Sequence, residues 1–172
     1  MTPLATVDQR AVVLRRATEA DTTAIAAIWN DAVSHGDATT ELEPRTPAAQ
    51  REWLACHGET HPVIVAESRD EVVAWGALSP YRPRPAFAAS VEDSVYVKAG
   101  HRGRGLGALI LGELVALARR ADHHTIVARI RSTNAASLAL HARFGFEVAG
   151  VEREIARIAG RWVDVVVMQV VL

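Results

Sequence analysis

Apolar and polar positions change their period several times along this chain. Val12-Val13-Leu14-Arg15-Arg16 reads as a first strand. Ile25, Ile28, Trp29, Ala32 and Val33 then recur at helical spacing, which predicts a helix over about 20–34, capped by Thr18 and with Asp21 in its first turn. A polar stretch, 34–45, separates it from a second helix that starts at Pro47, runs to about Cys56 and turns Trp53 and Leu54 inward. The period shortens at 63–66 and 72–78, two runs that read as paired strands with a hairpin-like link at 68–71. Pro80, Pro83 and Pro85 end the second run in a stiff loop, 81–87. A strand follows at 91–97, then a glycine-rich loop at 100–107. The next helix runs to about Ala121, with Leu106, Ile110, Leu114 and Leu117 as its apolar stripe. The remainder predicts a strand at 125–130, a short helix at about 134–143 and strands at 146–151 and 162–170.

Strands joined by both hairpins and crossovers imply one mixed sheet covered by helices, an α/β (α+β) domain over 11–172. Residues 1–10 lack the charged start and apolar block of a signal peptide and read as a flexible tail. The chain has 172 residues, 49% of them hydrophobic, enough for one core. Nineteen Lys and Arg against 20 Asp and Glu leave no basic excess for a nucleic acid. No apolar run is long enough to cross a bilayer. Cys56 is the only cysteine, which excludes an internal disulfide and fits a cytoplasmic setting. Cys56 and His57 with His61 make a poor metal set, so no metal is expected.

The strongest local signal is Arg102-Gly103-Arg104-Gly105-Leu106-Gly107, between a predicted strand and a strongly patterned helix. Glycines there let several backbone N–H groups converge, and the helix N-terminus adds partial positive charge, a combination suited to a pyrophosphate. Arg102 and Arg104 could add charged contacts. A nucleotide P-loop is excluded, because Leu106-Gly107-Ala108 stands where Gly-Lys-Ser/Thr is needed. A dinucleotide loop fits poorly: the glycine spacing is one residue short and Arg131 occupies the place of the acidic residue after the next strand. A coenzyme A loop, Q/R-x-x-G-x-G/A, matches at Arg102, Gly105 and Gly107, and an ordinary glycine-rich turn stays open beside it.

Further segments bear on that choice. Val95-Tyr96-Val97-Lys98-Ala99-Gly100-His101-Arg102 resembles motif A of the GNAT superfamily of N-acetyltransferases, and Asn134-Ala135-Ala136-Ser137 with 140–146 (LHARFGF) resembles its motif B. Tyr81-Arg82-Pro83-Arg84-Pro85, 91–97 (VEDSVYV) and 160–165 (GRWVDV) are similar to the phosphinothricin and methionine sulfoximine N-acetyltransferase family. The resemblance spans roughly 12–170. It implies a GNAT fold with a splayed central sheet and acetyl-CoA in the gap. The pantetheine would pair with the backbone around Val95, Tyr96 and Val97, the pyrophosphate would lie on Gly103, Arg104, Gly105, Leu106, Gly107 and Ala108, and Asn134 and Ser137 would hold the pantetheine end. It also implies a homodimer.

Acetyl transfer to an amine needs a base for the ammonium, a donor for the carbonyl oxygen and a proton for the leaving thiolate. In the strand, Ser90, Glu92, Ser94 and Tyr96 share one polar face, so Glu92 is the candidate base, against the plainer reading of a solvated glutamate. A backbone N–H near Val95 is the candidate oxyanion donor. His141 stands where many GNAT enzymes carry an acidic tyrosine, and is the candidate acid or proton relay; packing on a short helix is its plainer reading. Arg82 and Arg84 resemble the family's substrate-anion site, with Asp93 and Ser94 lining the same pocket. Three segments depart from the family: Thr40, Ala88-Ala89 and Arg157-Ile158-Ala159, all expected near the acceptor, where smaller side chains reshape the pocket. The implied activity is acetylation of the α-amino group of a small amino acid analogue. A polyamine, an aminoglycoside or a protein N-terminus is the alternative acceptor, and a non-catalytic acyl-CoA-binding module the alternative class.

Overall fold

The computed structural model describes residues 12–35 and 38–172; the expected tail at 1–10 lies outside the described residues. The first half contains β1 (Val12–Arg16), α1 (Thr22–His35), α2 (Pro47–Ala55), β2 (Val63–Ser68), β3 (Glu71–Pro80) and β4 (Ser90–Val97). The second half contains α3 (Leu106–Arg120), β5 (Thr125–Arg131), α4 (Ala135–Arg143), β6 (Glu147–Ile158) and β7 (Arg161–Val171). Most predicted elements end within a residue or two of these bounds. Before α1, the Thr18 N–H donates to the Asp21 carboxylate at 2.8 Å, and a single 3-10 turn, Glu19–Asp21, leads into the helix. The hairpin between β2 and β3 turns on Arg69 and Asp70, both at positive φ, as a two-residue primed turn requires.

The strands form one mixed sheet in the order β1-β2-β3-β4-β5-β7-β6. All neighbours are antiparallel except β4 and β5, whose parallel pairing stops after Ser90↔Thr125, Val91↔Ile126 and Glu92↔Val127. Beyond that point Asp93–Val97 keep only β3, and Ala128–Arg131 keep only β7. The sheet is therefore split by a wedge whose walls carry backbone groups without a strand partner. Such groups need a ligand or water to bond.

Side-chain alternation assigns the two faces. Ile64 and Ala66 join the cluster under α3, with Ile110, Leu111 and Leu114; Val63 and Val65 join the one under α1, with Ile25, Trp29 and Trp75. Each fully buried aliphatic side chain of α3 contributes roughly 1.5–3 kcal/mol of transfer free energy. Gly76 on β3 makes that packing possible: a Cβ there would lie 2.4 Å from Ile110 Cγ2 and 2.8 Å from the Ser94 carbonyl.

One prediction fell short. β6 continues to Ile158, well past the strand read at 146–151. Most of its residues are exposed, it has β7 as its only neighbour, and its register shifts between Glu152 and Ala156. A half-buried strand signals itself by alternation, and this exposed edge has no burial to impose it. Among the described residues, no helix is long and apolar enough to cross a membrane.

Candidate active site

The wedge opens beside the glycine loop. Gly103 and Gly105 have φ of 74° and 85°, left-handed values that suit glycine, and Gly105 is the N-cap of α3. The first backbone bond into the helix runs from Leu109 to the Gly105 carbonyl, so the amides of the first turn are free to meet an anion. Lys98 N–H donates to the Val73 carbonyl on the β3 side. By alternation, the backbone groups of Val95 and Val97 face the wedge. The Val97 carbonyl there accepts from Arg102 Nε at 3.3 Å.

A cleft of about 450 Å³ follows from this arrangement, walled by Val95, Val97, Arg102, Gly105, Gly107 and Ala108 on one side and by α4 residues on the other. Gly103, Tyr96, Asn134 and Ser137 also line it. Asn134 caps α4, its Oδ1 accepting from the Ser137 amide at 3.1 Å. Leu106 instead buries its side chain in the core, and Arg104 is exposed and lies off the cleft wall. The side chains of these two do not line the cleft.

A second cavity, about 180 Å³, lies deeper in the wedge and shares Val95, Tyr96, Asn134 and Ser137 with the cleft. Glu92, Asp93, Ser94 and His141 line it. Burial raises the Glu92 pKa, with Asp93 and Glu152 adding to the rise and Arg129 opposing it. His141 is only 3% exposed. Its Nδ1 lies 2.8 Å from the Ser137 carbonyl, which only accepts, so Nδ1 carries a proton. Its Nε2 lies 3.0 Å from Asp93 Oδ2, so at least one proton sits between them or on the pair. Burial lowers the His141 pKa, but the Asp93 hydrogen bond, the Asp93 charge and the Ser137 carbonyl outweigh it and the net direction is upward. With both ring nitrogens engaged, His141 has none left to face a ligand. Asp93 Oδ1 is buried without a partner and is the atom of this pair still free to bond.

A third cavity, about 230 Å³, shares Glu92 and Ser94 with the second and is otherwise walled by Trp29, Arg45, Trp53, Trp75, Ser79 and Pro80. The polar face of β4 is therefore partly covered by residues of α1 and α2 and is half-buried. Tyr96 stacks on Trp75 with centroids 4.8 Å apart and meets Trp29 edge-on at 5.1 Å. Trp29 and Trp53, read from the sequence as core, also wall this cavity. Arg45 carries no periodic or motif signal; only a position between two prolines, Pro44 and Pro47, marks its segment as stiff.

Arg82 and Arg84 are exposed and line none of these three cavities. Arg82 lies over the rings of Tyr81 and Phe87, at 5.0 and 5.6 Å. Of the three departing segments, Thr40 lines the second cavity; Ala88-Ala89 and 157–159 line none of the three. A separate cavity of about 490 Å³ beside α2 shares no wall residue with this row, and its Arg51 is paired with Glu19 at 2.9 Å. Among the described residues, no group of His, Cys, Asp and Glu is arranged to hold a metal.

Comparison with known proteins bears on this geometry. The family model described as acetyltransferase (GNAT) family matches residues 24–146. A phosphinothricin N-acetyltransferase of Streptomyces coelicolor is 39% identical over 158 residues, covering 90% of this chain and 92% of its own length. An L-methionine sulfoximine/L-methionine sulfone acetyltransferase of Pseudomonas aeruginosa is 38% identical, over 91% of this chain and 92% of its own. The crystal structure of a phosphinothricin acetyltransferase from Sinorhizobium meliloti in complex with acetyl-CoA superposes with a TM-score of 0.90 at 33% identity, covering 94% of this chain and 89% of that one. The split sheet, the glycine turn at the head of α3 and these matches together assign the chain to the GNAT family of acetyltransferases.

Proposed function

We propose that this acetyltransferase moves the acetyl group of acetyl-CoA to the α-amino group of a small amino acid analogue of the phosphinothricin or methionine sulfoximine type. The observation that carries the reading is the shared wall: Val95 and Tyr96 line both the cleft and the second cavity, and Glu92 and Ser94 line both the second and the third. A cofactor entering along the glycine turn and an amine held among the tryptophans would meet in the second cavity, which Glu92 lines.

In this reading the amides of Gly103–Ala108 hold the pyrophosphate and the backbone of Val95 and Val97 pairs with the pantetheine. Glu92 takes a proton from the substrate ammonium; its raised pKa brings it nearer that of an amine and makes it a better base than an exposed glutamate. The amine nitrogen then forms its bond to the thioester carbon while the Val95 N–H donates to the carbonyl oxygen. The C–S bond breaks, the nitrogen gives up its second proton and the thiolate gains one. His141 acts here through Asp93, holding that carboxylate in the second cavity. Arg82 and Arg84, exposed and outside the three cavities, remain proposed contacts for a second acidic group of a substrate that carries two. The relatives' substrates support an amino acid acceptor.

Thiol release from acetyl-CoA across a panel of amino acids, polyamines, aminoglycosides and peptides tests the reading. Turnover confined to small amino acids is the expected result. Turnover confined to another amine class moves the acceptor there, and coenzyme A binding without transfer to any member overturns the enzyme. We place the protein in the cytoplasm, where its co-substrate is available, and as a homodimer. The exposed apolar side chains Val148, Val151, Ile155 and Trp162 on β6 and β7 support a self-association surface. Light scattering of the purified chain checks it.

A further inference from the structure

Arg45 is a cation built into the acceptor cavity with no acid of its own. Its backbone is clamped on both sides by one side chain: Arg45 N–H donates to Asn30 Oδ1 at 2.8 Å, and Asn30 Nδ2 donates to the Arg45 carbonyl at 3.0 Å. Its guanidinium carbon lies 4.0 Å from the Trp29 ring centroid and 5.2 Å from that of Trp53. Contacts of this kind use the face of the guanidinium and leave its N–H edge to bond elsewhere. The one side-chain hydrogen bond that edge makes is long, Nη1 to Gln50 Oε1 at 3.4 Å. Among the described residues, no carboxylate comes within ion-pair distance of it; Glu41 is the acid whose charge acts on it from farther away. Burial lowers the Arg45 pKa, a cost an arriving anion would relieve.

The walls around it have the same unmet demand. Trp29 and Trp75 are 5% and 0% exposed, both line the cavity, and neither indole N–H has a hydrogen-bond partner. Buried donors without acceptors are uncommon, and here two belong to rings that wall the cavity, one of them the Trp29 ring under the Arg45 guanidinium. At the other end of the same cavity stand Glu92 and Ser94. One end offers a cation, the other a proton acceptor. That polarity matches a molecule carrying an acid group and an amine.

We propose that Arg45 is the specificity-determining residue for the acceptor, binding its acid group, a carboxylate or a phosphinate, so that the amine is directed toward Glu92. The proposal rests on the amino acid acceptor reading and deepens it. It also differs from the sequence expectation, which gave the anion to Arg82 and Arg84 outside the cavity.

Steady-state kinetics of the full-length wild type, Arg45→Met and Arg45→Lys, each with an amino acid acceptor and with its carboxamide, tests it. The wild type should prefer the acid over the amide. Arg45→Met should raise KM for the acid by about 10- to 100-fold, the scale of a lost charged hydrogen-bond pair, while changing KM for the amide and for acetyl-CoA little. Arg45→Lys keeps the charge without the fork and should fall between. Thermal melts of both variants show whether they fold, and the Lys variant keeps the test open if the Met variant does not. Equal loss on acid and amide, or an unaltered KM for the acid, overturns the role of Arg45 and leaves the amino acid reading standing. Absence of turnover by the wild type on every amino acid removes both.

Discussion

The cofactor cleft and the acceptor cavity are joined through the second cavity, where Glu92 stands, and are built in opposite ways. The cleft draws much of its wall from one stretch of chain, 95–108, whose turn offers backbone amides, with α1 and α4 completing it. The acceptor cavity is made of side chains from Trp29, Arg45, Trp53, Trp75 and Glu92, each supplied by a different segment. Backbone donors in a turn fix a site for a group common to every turnover, whereas side chains can be exchanged one at a time without disturbing the turn. The first design holds the cofactor and the second selects the amine.

The largest effect is expected where the two regions join. Glu92→Gln is nearly isosteric, so the fold should survive while the base is lost, and kcat should drop by about 10²- to 10⁴-fold. The wild-type acid limb of kcat/KM should lie above the ordinary glutamate value of 4.5, because burial raises the pKa of this carboxyl. That limb should vanish in the variant. A wild-type limb at or below the ordinary value would move the base elsewhere and separate the two regions chemically.

Gly105→Val strikes the cleft alone. A β-branched residue at φ 85° is strained by about 1–2 kcal/mol, and the turn it distorts presents the amides at the head of α3. Acetyl-CoA affinity should fall by about 10-fold or more, read by calorimetry, with KM for the amine little changed. A folded variant with unaltered affinity would remove the turn from the cofactor site. Gly76→Ala tests the support beneath that turn instead. Its Cβ meets Ile110 at 2.4 Å and the Ser94 carbonyl at 2.8 Å, so α3 or β4 must give way. The expected cost is about 1–3 kcal/mol in urea unfolding. A neutral result would mean that α3 or β4 can move without loss.

The same contrast decides what was legible beforehand. Gly103, Gly105 and Gly107 lie close together in sequence, the first two left-handed and the third in α3 where a Cβ would meet Leu140 at 3.2 Å, so the cleft could be read from one short string. The split between β4 and β5 follows from no local pattern: Asp93 and Val95 are as strand-like as Val91, and the parallel pairing ends through tertiary geometry. Arg45 was invisible for a related reason. Its partners Asn30, Trp29 and Trp53 come from α1 and α2, and only folding brings them together. His141 was noticed as a titratable side chain on a short helix, but that both its nitrogens are occupied depends on Asp93, 48 positions away.

That buried pair supplies the smallest effect, and it sits at the seam. The folded state raises the His141 pKa above its ordinary 6.5, despite burial, because of Asp93 and the Ser137 carbonyl. A histidine that binds its proton more tightly when folded contributes stability that is fully present below the unfolded value and is lost as pH rises through the folded one. His57 and His61 are shifted downward, chiefly by burial, so their effects lie below 6.5, where stability is lost as pH falls. Glu92 also favours the proton when folded, but its effect begins lower, above 4.5. Tyr96 is raised from its ordinary 10 by burial and acts only above that, so the window from 6.5 to well below 10 reports mainly on His141. Urea unfolding of the wild type from about pH 6.5 upward should show stability declining, by no more than about 1.4 kcal/mol per pH unit, the limit for one proton. Asp93→Asn should flatten that decline, since the neutral amide removes the charge that holds the proton on the imidazole. If the slope persists in Asp93→Asn, the pair is not the seat of the proton, and His141 is only packed between the two regions.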